Sequence, residues 1–216
     1  MADGLLVAVC RVHQLLPDRG NGVTAIDKRA VSGAVRASQF GLFGDVQAER
    51  RHHGGEDQAV YAYAEEDARH FVRELDREVP PGLFGENLRT SGIDVTGAVI
   101  GERWRVGQQA LLEVTYPRTP CGTFDRRMGV QGWQDRFREH GAPGAYLRVL
   151  KAGSIRAGDT IEVVDRPEHG VTIGGWFRHQ DPADARRLLA AHADGAIVLR
   201  DKLRGHVDRA LRRTPA

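Results

Sequence analysis

The stretch that decides the fold is VIGERWRVGQQALLEVT, residues 99–115. It contains two runs rich in β-branched and other apolar residues, 99–106 and 110–115, with Gly107 in the turn between them. Short apolar runs separated by a glycine turn are typical of consecutive β-strands. We therefore predict two neighbouring strands in this part of the chain.

Further runs of this kind recur along the sequence, and helical patterns separate some of them. The strand-like runs are residues 5–12, 31–37, 59–63, 146–150 and 160–164. Apolar residues at helical spacing predict a helix over 65–77, and residues 124–140 are expected to form one or two short helices. Because strands and helices do not alternate regularly, the pattern favours a mainly β fold with helices (α+β), a β-barrel rather than a doubly wound sheet.

The composition changes after Arg166-Pro167, which predicts a boundary between two parts of the chain. We assign residues 1–167 to a β-barrel domain and residues 168–216 to a small C-terminal helical extension. The sequence Asp181-Pro182 is a strong signal for a helix N-terminus. Acidic residues are interleaved with the basic residues of the extension, so we expect a solvated amphipathic face and not a nucleic-acid site.

The overall composition excludes several partner classes. The chain has 216 residues, is 41% hydrophobic, and carries 31 basic against 29 acidic residues, a formal net charge of +2. Because this excess of positive charge is small, we do not expect a nucleic-acid polymer or a membrane surface as a partner. The start of the sequence lacks the features of a signal peptide, and no long apolar run occurs, so the expected location is the cytoplasm.

The first candidate site is the loop GLFGDVQAERRHHGG, residues 41–55. Its glycines allow close approach of a ligand to the backbone, while Gln47, His52 and His53 can donate hydrogen bonds. The alternative is a tight surface turn with exposed histidines. Composition alone does not decide between these two interpretations.

The second candidate is Asn87, in the stretch PPGLFGENLRTSGID, residues 80–94. Its amide has both donors and an acceptor and could bind the edge of a heterocycle. It could equally satisfy backbone groups of a turn that leads into a strand. The residues by themselves favour the second interpretation.

The third candidate is Cys121, at the apex of the stiff loop YPRTPCGTF, residues 116–124. A neighbouring arginine such as Arg118 favours the thiolate, which is both a nucleophile and a soft metal ligand. Arg118 and Thr119 can also contact phosphate. The alternative is a small buried apolar residue, the interpretation we give to Cys10 inside the first apolar run.

Taken in order, these stretches resemble the MOSC family, named for the carboxyl-terminal domain of molybdenum cofactor sulfurase. The stretches that carry the resemblance are residues 25–28, 41–55, 84–88, 118–121 and 146–149. They extend over most of residues 1–167. The sequence is most similar to the small stand-alone bacterial branch that includes the reductase of N-hydroxylated purines, and its helical tail resembles the extension of that branch.

The resemblance implies a β-barrel that binds the molybdenum cofactor, a pterin dithiolene that ends in a phosphate. By position, Cys121 would be the metal ligand and a catalytic residue, and His52 and His53 would line the pocket as catalytic residues that deliver protons. The residues expected to bind polar groups or phosphate of the cofactor are Lys28, Asn87, Arg118, Thr119 and Cys121. Gly122 and Thr123 depart from the pattern of the purine reductase relatives, which leaves the substrate open.

Three functions follow as hypotheses. The first is an oxidoreductase that reduces N-hydroxylated bases or amines. Its electrons would come from a separate flavoprotein or iron–sulfur protein, because the sequence has no flavin motif and no cysteine cluster. The second is a carrier of molybdenum cofactor or of sulfur, with Cys121 as a persulfide. The third is a non-catalytic binding domain, and a homodimer is compatible with all three.

Overall fold

A computed structural model of the protein describes residues 3–20, 22–48 and 54–212. The strands are β1 (Gly4–Val12), β2 (Leu16–Asp18), β3 (Gly22–Thr24), β4 (Lys28–Ala30), β5 (Val35–Ser38), β6 (Gly41–Leu42), β7 (Val60–Ala64), β8 (Leu88–Ser91), β9 (Arg103–Val106), β10 (Ala110–Pro117), β11 (Ala145–Lys151), β12 (Gly153–Ile155) and β13 (Thr160–Asp165). The α-helices are α1 (Glu65–Leu75), α2 (Gly122–Met128), α3 (Trp133–His140), α4 (Ile173–His179), α5 (Pro182–Ala193) and α6 (Asp201–Leu211).

Seven of the strands in the described ranges close into a barrel, which confirms the predicted fold class. The order around the barrel is β13-β9-β10-β11-β7-β8-β1, and β1 pairs with β13 to close it. All neighbouring strands are antiparallel except β7 and β8, which are parallel. The decisive stretch forms β9 and β10, and Gly107 adopts a left-handed φ of 59° in the turn between them. Strand β9 begins only at Arg103, because residues 99–102 form a turn.

Two further elements differ from the predicted boundaries. The strand expected over residues 31–37 forms only from Val35 onward, since the chain bends at Gly33, which has φ of 80°. As a result β4 extends the barrel through β1, whereas β5 belongs to a small separate sheet with β6 and β12. Helix α1 ends at Leu75, before the predicted end, because Asp76 turns into the left-handed region with φ of 45°. Residues 124–140 form parts of two helices, as expected.

The C-terminal helices pack on the barrel with their apolar faces. Trp176 of α4, Leu188 of α5 and Val207 of α6 are fully buried in one continuous cluster with barrel residues such as Trp104 and Leu112. Burying large apolar side chains in this way stabilises the attachment of the extension. The predicted start of α5 is confirmed.

The N-terminus of α5 has the expected chemistry. Pro182 is the first helical residue, where its missing N–H costs nothing, and the Asp181 carboxylate accepts a hydrogen bond from the Ala183 N–H at 2.6 Å. No helix within the described ranges is both long enough and apolar enough to cross a membrane.

A second cluster of buried rings lies beside the barrel, and we call it the aromatic cluster: Phe71, Phe84, Phe124, Trp133 and Phe137. The rings pack mostly edge to face, with the centroids of Phe84 and Phe124 5.4 Å apart and those of Phe71 and Trp133 4.8 Å apart. Edge-to-face pairs at this distance are favourable. The cluster fixes α1, α2 and α3 against one side of the barrel, and thereby fixes the loop that carries Cys121.

Candidate functional site

A cavity of about 130 Å³ opens at one end of the barrel and contains four of the predicted residues. These four are Lys28, Asn87, Arg118 and Cys121. Other residues that line it include Thr24, Ile26, Asp45, Gln47, Gln58, Ala59, Tyr61, Thr123 and Tyr146. The site is thus assembled from segments far apart in sequence that the barrel brings to the same end.

The four predicted residues occupy element ends, which explains how they meet. Lys28 is the first residue of β4, and β4 pairs with the end of β1. Asn87 directly precedes β8, whose parallel neighbour β7 carries Tyr61. Arg118 and Cys121 follow the end of β10. Side chains at element ends can converge on one pocket while the strands stay regular.

Cys121 lies at the residue before α2, in extended backbone with φ of −132° and ψ of 169°. It is half-buried, packs against the aromatic cluster and faces the cavity. Cys10 contrasts with it. That side chain is fully buried in β1, as predicted, and burial raises the pKa of its thiol to about 12. Of the two thiols, Cys121 is therefore the one accessible for binding or reaction.

Arg118 is a buried cation in the wall of the cavity. Its guanidinium donates a hydrogen bond to the Phe84 carbonyl oxygen and lies 3.9 Å from the ring centroid of Phe124 and 5.0 Å from that of Tyr61. Burial lowers the pKa of Arg118, but the neighbouring Tyr61, Tyr146 and Cys121 groups together raise it above its ordinary value. The side chain therefore remains charged.

Within the described ranges, no carboxylate forms an ion pair with Arg118. Its positive charge is balanced there by a carbonyl dipole and by the faces of two aromatic rings. A buried charge without a countercharge is costly, and an incoming anion would remove that cost. This wall of the cavity is therefore suited to bind an anionic group.

Lys28 supplies a second cation, which is held in place by Asp45. The two side chains form an ion pair, and the second Asp45 oxygen accepts a hydrogen bond from the Val12 N–H at 2.8 Å. Burial lowers the pKa of Lys28, although Asp45 opposes the shift. The carboxylate fixes the lysine at the cavity wall.

The Asn87 side chain is engaged by the protein itself. Its amide nitrogen donates to Asp45 Oδ2 at 2.8 Å and to the Cys10 carbonyl oxygen at 3.2 Å, and its amide oxygen accepts from the Tyr61 N–H at 3.2 Å. These contacts match the interpretation in which Asn87 satisfies backbone groups. Its observed role is to position Asp45, and through Asp45 the Lys28 ammonium.

The remaining predicted residues lie elsewhere. Thr119 is exposed and does not line the cavity. His52 and His53 lie outside the described residues. From the same glycine-rich loop, Gln47 lines the cavity and accepts a hydrogen bond from the Gly55 N–H at 3.0 Å.

Sequence reasoning did not select Asp45, Tyr61 or Tyr146 as site residues. Asp45 lies within the glycine-rich loop, and Tyr146 lies within the last stretch that carries the family resemblance. The sequence therefore indicated the segments of both residues, although not their role in the site. Tyr61 and Tyr146 form a pair with ring centroids 5.2 Å apart beside Arg118. Nothing in the alternation of residues 59–63 indicates that Tyr61 turns toward a cavity.

Together, the mixed barrel and the cavity define a β-barrel protein with a thiol and two cations in one pocket. The chain belongs to the MOSC family: the MOSC domain model matches residues 49–162, more than half of the sequence. It is 32% identical to protein YiiM of Escherichia coli over 177 residues, 78% of each chain.

Two further relatives extend the comparison. The crystal structure of YiiM from Geobacillus stearothermophilus superimposes with a TM-score of 0.78 over 96% of this chain and 99% of that one, at 22% identity, so the two share the fold. A protein of Gibberella moniliformis named as a reductase is 35% identical over 155 residues. The match covers 68% of this chain but only 27% of that protein.

Proposed function

We propose that the cavity binds a molybdenum cofactor with Cys121 as the metal ligand, and that the protein reduces N-hydroxylated bases or amines. The observation that carries the proposal is the presence, in one cavity of a MOSC protein, of an accessible thiol and a buried arginine that has no carboxylate partner among the residues that the structure describes. The reductase among its relatives is in agreement with this function.

The residues present fit such a cofactor. A thiolate is a preferred ligand of soft metal ions, and one thiol suffices where the metal brings sulfur ligands of its own. Arg118 and Lys28 fit a phosphate group, and the paired rings of Tyr61 and Tyr146 fit a flat heterocycle. When bound, the cofactor would supply two-electron redox chemistry at the metal.

The protein residues would then act mainly by electrostatics and by position. Arg118 favours the thiolate form of Cys121 and binds negative charge next to it. Lys28, fixed by Asp45, binds a second anionic group. Asn87 donates a hydrogen bond to Asp45 and thereby holds Asp45 and Lys28 in position at the cavity wall. All of these side chains are held in position by the fold before a ligand arrives, which lowers the cost of binding.

The proposed reaction requires protons and electrons from defined sources. Reduction of an N–OH group to N–H consumes two electrons and two protons and releases the oxygen as water. We assign proton delivery to His52 and His53, which follow the cavity residue Gln47 in the same loop. The electrons come from a separate flavoprotein or iron–sulfur protein.

The test compares the two thiols. Wild-type protein, Cys121→Ser and the matched control Cys10→Ala are purified from a host that makes molybdenum cofactor, and molybdenum is measured by mass spectrometry. Each protein is then assayed for reduction of benzamidoxime and hydroxylaminopurine with reduced methyl viologen. We expect wild type and Cys10→Ala to retain molybdenum and activity, and Cys121→Ser to lose both.

Two results would contradict the proposal. Equal molybdenum content in wild type and Cys121→Ser would show that Cys121 is not the ligand. A stable additional sulfur on Cys121 in a protein without bound metal would favour the carrier of sulfur instead.

A further inference from the structure

Four exposed apolar side chains lie in or beside the chain segments that line the cavity. They are Val23, Phe40, Phe43 and Val46, with exposed fractions of 43%, 64%, 74% and 44%. Val23 and Val46 also line the cavity itself. We call these four residues the mouth patch. Large exposed rings next to a binding site are characteristic of surfaces that contact another molecule.

The fold holds the two phenylalanines in place. Phe40 lies in the turn of the β5–β6 hairpin and Phe43 directly follows β6, while Leu42 between them is buried. Gly41 adopts φ of 118°, and a Cβ at this position would lie 2.7 Å from the Ala59 carbonyl oxygen, so the hairpin packs closely on the cavity wall. The Gln47 side chain donates to the Phe40 carbonyl oxygen at 3.4 Å. The phenylalanines are therefore presented by an ordered turn.

Basic side chains surround the mouth patch. Arg11 donates a hydrogen bond to the Phe43 carbonyl oxygen at 2.8 Å. Arg36 lies opposite Phe43 in the hairpin, and the Phe43 N–H donates to the Arg36 carbonyl oxygen at 2.8 Å, so the two exposed side chains share one face. Arg19 lies in the turn between β2 and β3, next to the strand of Val23. Within the described ranges these three arginines form no ion pair with a carboxylate.

The carboxylates of the same segment point inward. Residues 11–46 contain three of them, Asp18, Asp27 and Asp45, whose side chains are 4%, 1% and 7% exposed. Each is ion-paired with a basic side chain. The outer face that residues 11–46 form beside the cavity is therefore apolar and positively charged.

We propose that the mouth patch and its arginines are the docking surface for an acidic electron-transfer protein. The inference rests on the proposed function, which requires electrons from another protein at this cavity. Electron transfer slows steeply with distance, so a donor must bind close to the mouth. Its carboxylates would pair with the arginines, while Phe40 and Phe43 act as apolar anchors. Self-association through this face is disfavoured, because it would bring two positively charged surfaces together.

The experiment compares two double variants of the holoprotein. Phe43→Ser with Arg36→Glu removes an anchor and reverses a charge in the docking surface. The matched control, Val72→Ser with Arg73→Glu, makes the same changes on exposed residues of α1, which does not line the cavity. The probes are a reduced acidic [2Fe–2S] ferredoxin and, as a small donor, reduced methyl viologen. Binding of the oxidised ferredoxin is measured separately by biolayer interferometry.

We expect the first variant to raise both KM and Kd for ferredoxin at least about tenfold, with the viologen rate unchanged. The control should behave like wild type, and added salt should weaken the binding of ferredoxin to wild type. Equal ferredoxin affinity in both variants would overturn the docking surface. The proposal would also be overturned if the first variant still bound ferredoxin but no longer bound vesicles of phosphatidylglycerol and phosphatidylcholine that wild type binds. The same holds if that variant still bound ferredoxin but no longer formed dimers that wild type forms. Absence of viologen activity in wild type would instead contradict the reductase itself.

Discussion

Two buried arginines that are connected to the loop of Phe84 are neutralised in different ways. Arg89, at the closed side, is paired with two carboxylates, Glu86 and Glu65, with no exposed side-chain surface. Arg118, at the open side, contacts the Phe84 carbonyl oxygen and aromatic rings in the cavity wall. A buried cation with carboxylates stabilises the fold, whereas a buried cation without them is available to a ligand.

The two regions are connected by the loop that contains Phe84. The Glu86 carboxylate accepts hydrogen bonds from the Gly82 N–H at 2.8 Å and from the Phe84 N–H at 3.0 Å while it pairs with Arg89. These hydrogen bonds hold the backbone around Phe84, the residue whose carbonyl oxygen accepts a hydrogen bond from Arg118. The region of Arg89 thus supports the geometry of the region of Arg118. A substitution of Arg89 should mainly lower the stability of the fold, whereas a substitution of Arg118 should mainly weaken ligand binding.

The largest expected effect is on the closed side. Arg89→Met would leave Glu86 buried without its cation, and breaking a buried pair in this way lowers the free energy of unfolding by about 3–5 kcal/mol. Urea denaturation measures the loss. The control is Arg103→Met, which removes two partly exposed pairs, with Glu113 and Asp165, and should cost at most about 1 kcal/mol. A loss no larger than that of the control would show that the Arg89 pair does not support the fold.

A smaller effect on stability is expected on the open side. Arg118→Met removes one hydrogen bond and two ring contacts but also a desolvated charge, so the free energy of unfolding should change by less than about 1.5 kcal/mol. Its ligand response should change much more. Millimolar inorganic phosphate should raise the Tm of wild type and of the exposed-residue control Lys151→Met, but not that of Arg118→Met. An equal rise in all three proteins would remove Arg118 from the anion site.

The sequence predicted the local features of this arrangement better than the contacts between distant segments. The runs that became β1, β10 and β13 are visible because apolar residues with glycine turns form strands in most contexts. The strand predicted over residues 31–37 is present only from Val35, since the left-handed φ of Gly33 depends on where the chain has to turn. Stretches that alternate regularly are therefore more predictable than the bends between them.

The site shows the same limit. Cys121 and Arg118 are three residues apart, and their chemistry could be inferred from one loop. The pairing of Lys28 with Asp45, and that of Asn87 with the Cys10 carbonyl oxygen, needs the barrel to bring four segments together. Thr119 was assigned to the site from its position in the family pattern, but successive residues of an extended segment point in opposite directions, and Thr119 is exposed.

The smallest expected effect concerns the aromatic cluster. Phe84 of this cluster is connected with both arginine regions. At its outer edge His70 and His140 stack with ring centroids 4.0 Å apart, and His140 packs on Phe71. Burial, and then the neighbouring His70, lowers the pKa of His140 from 6.5 to about 4, although Glu74 opposes the shift. Between these pH values the unfolded chain binds a proton that the folded protein does not, so stability falls as the pH falls from 6.5 toward 4.

His140→Leu tests this contribution, because leucine keeps the apolar contact and does not titrate. When the pH is lowered from about 7.5 to about 5, we expect the Tm of the variant to fall less than that of wild type. The other titrating groups are the same in both proteins, so the difference reports His140. The rise in Tm produced by phosphate at pH 7.5 should stay the same, since His140 contacts Phe71 and does not line the cavity. If the phosphate response were lost together with the pH dependence, the anion site would depend on the aromatic cluster as a whole and not on Arg118 in particular.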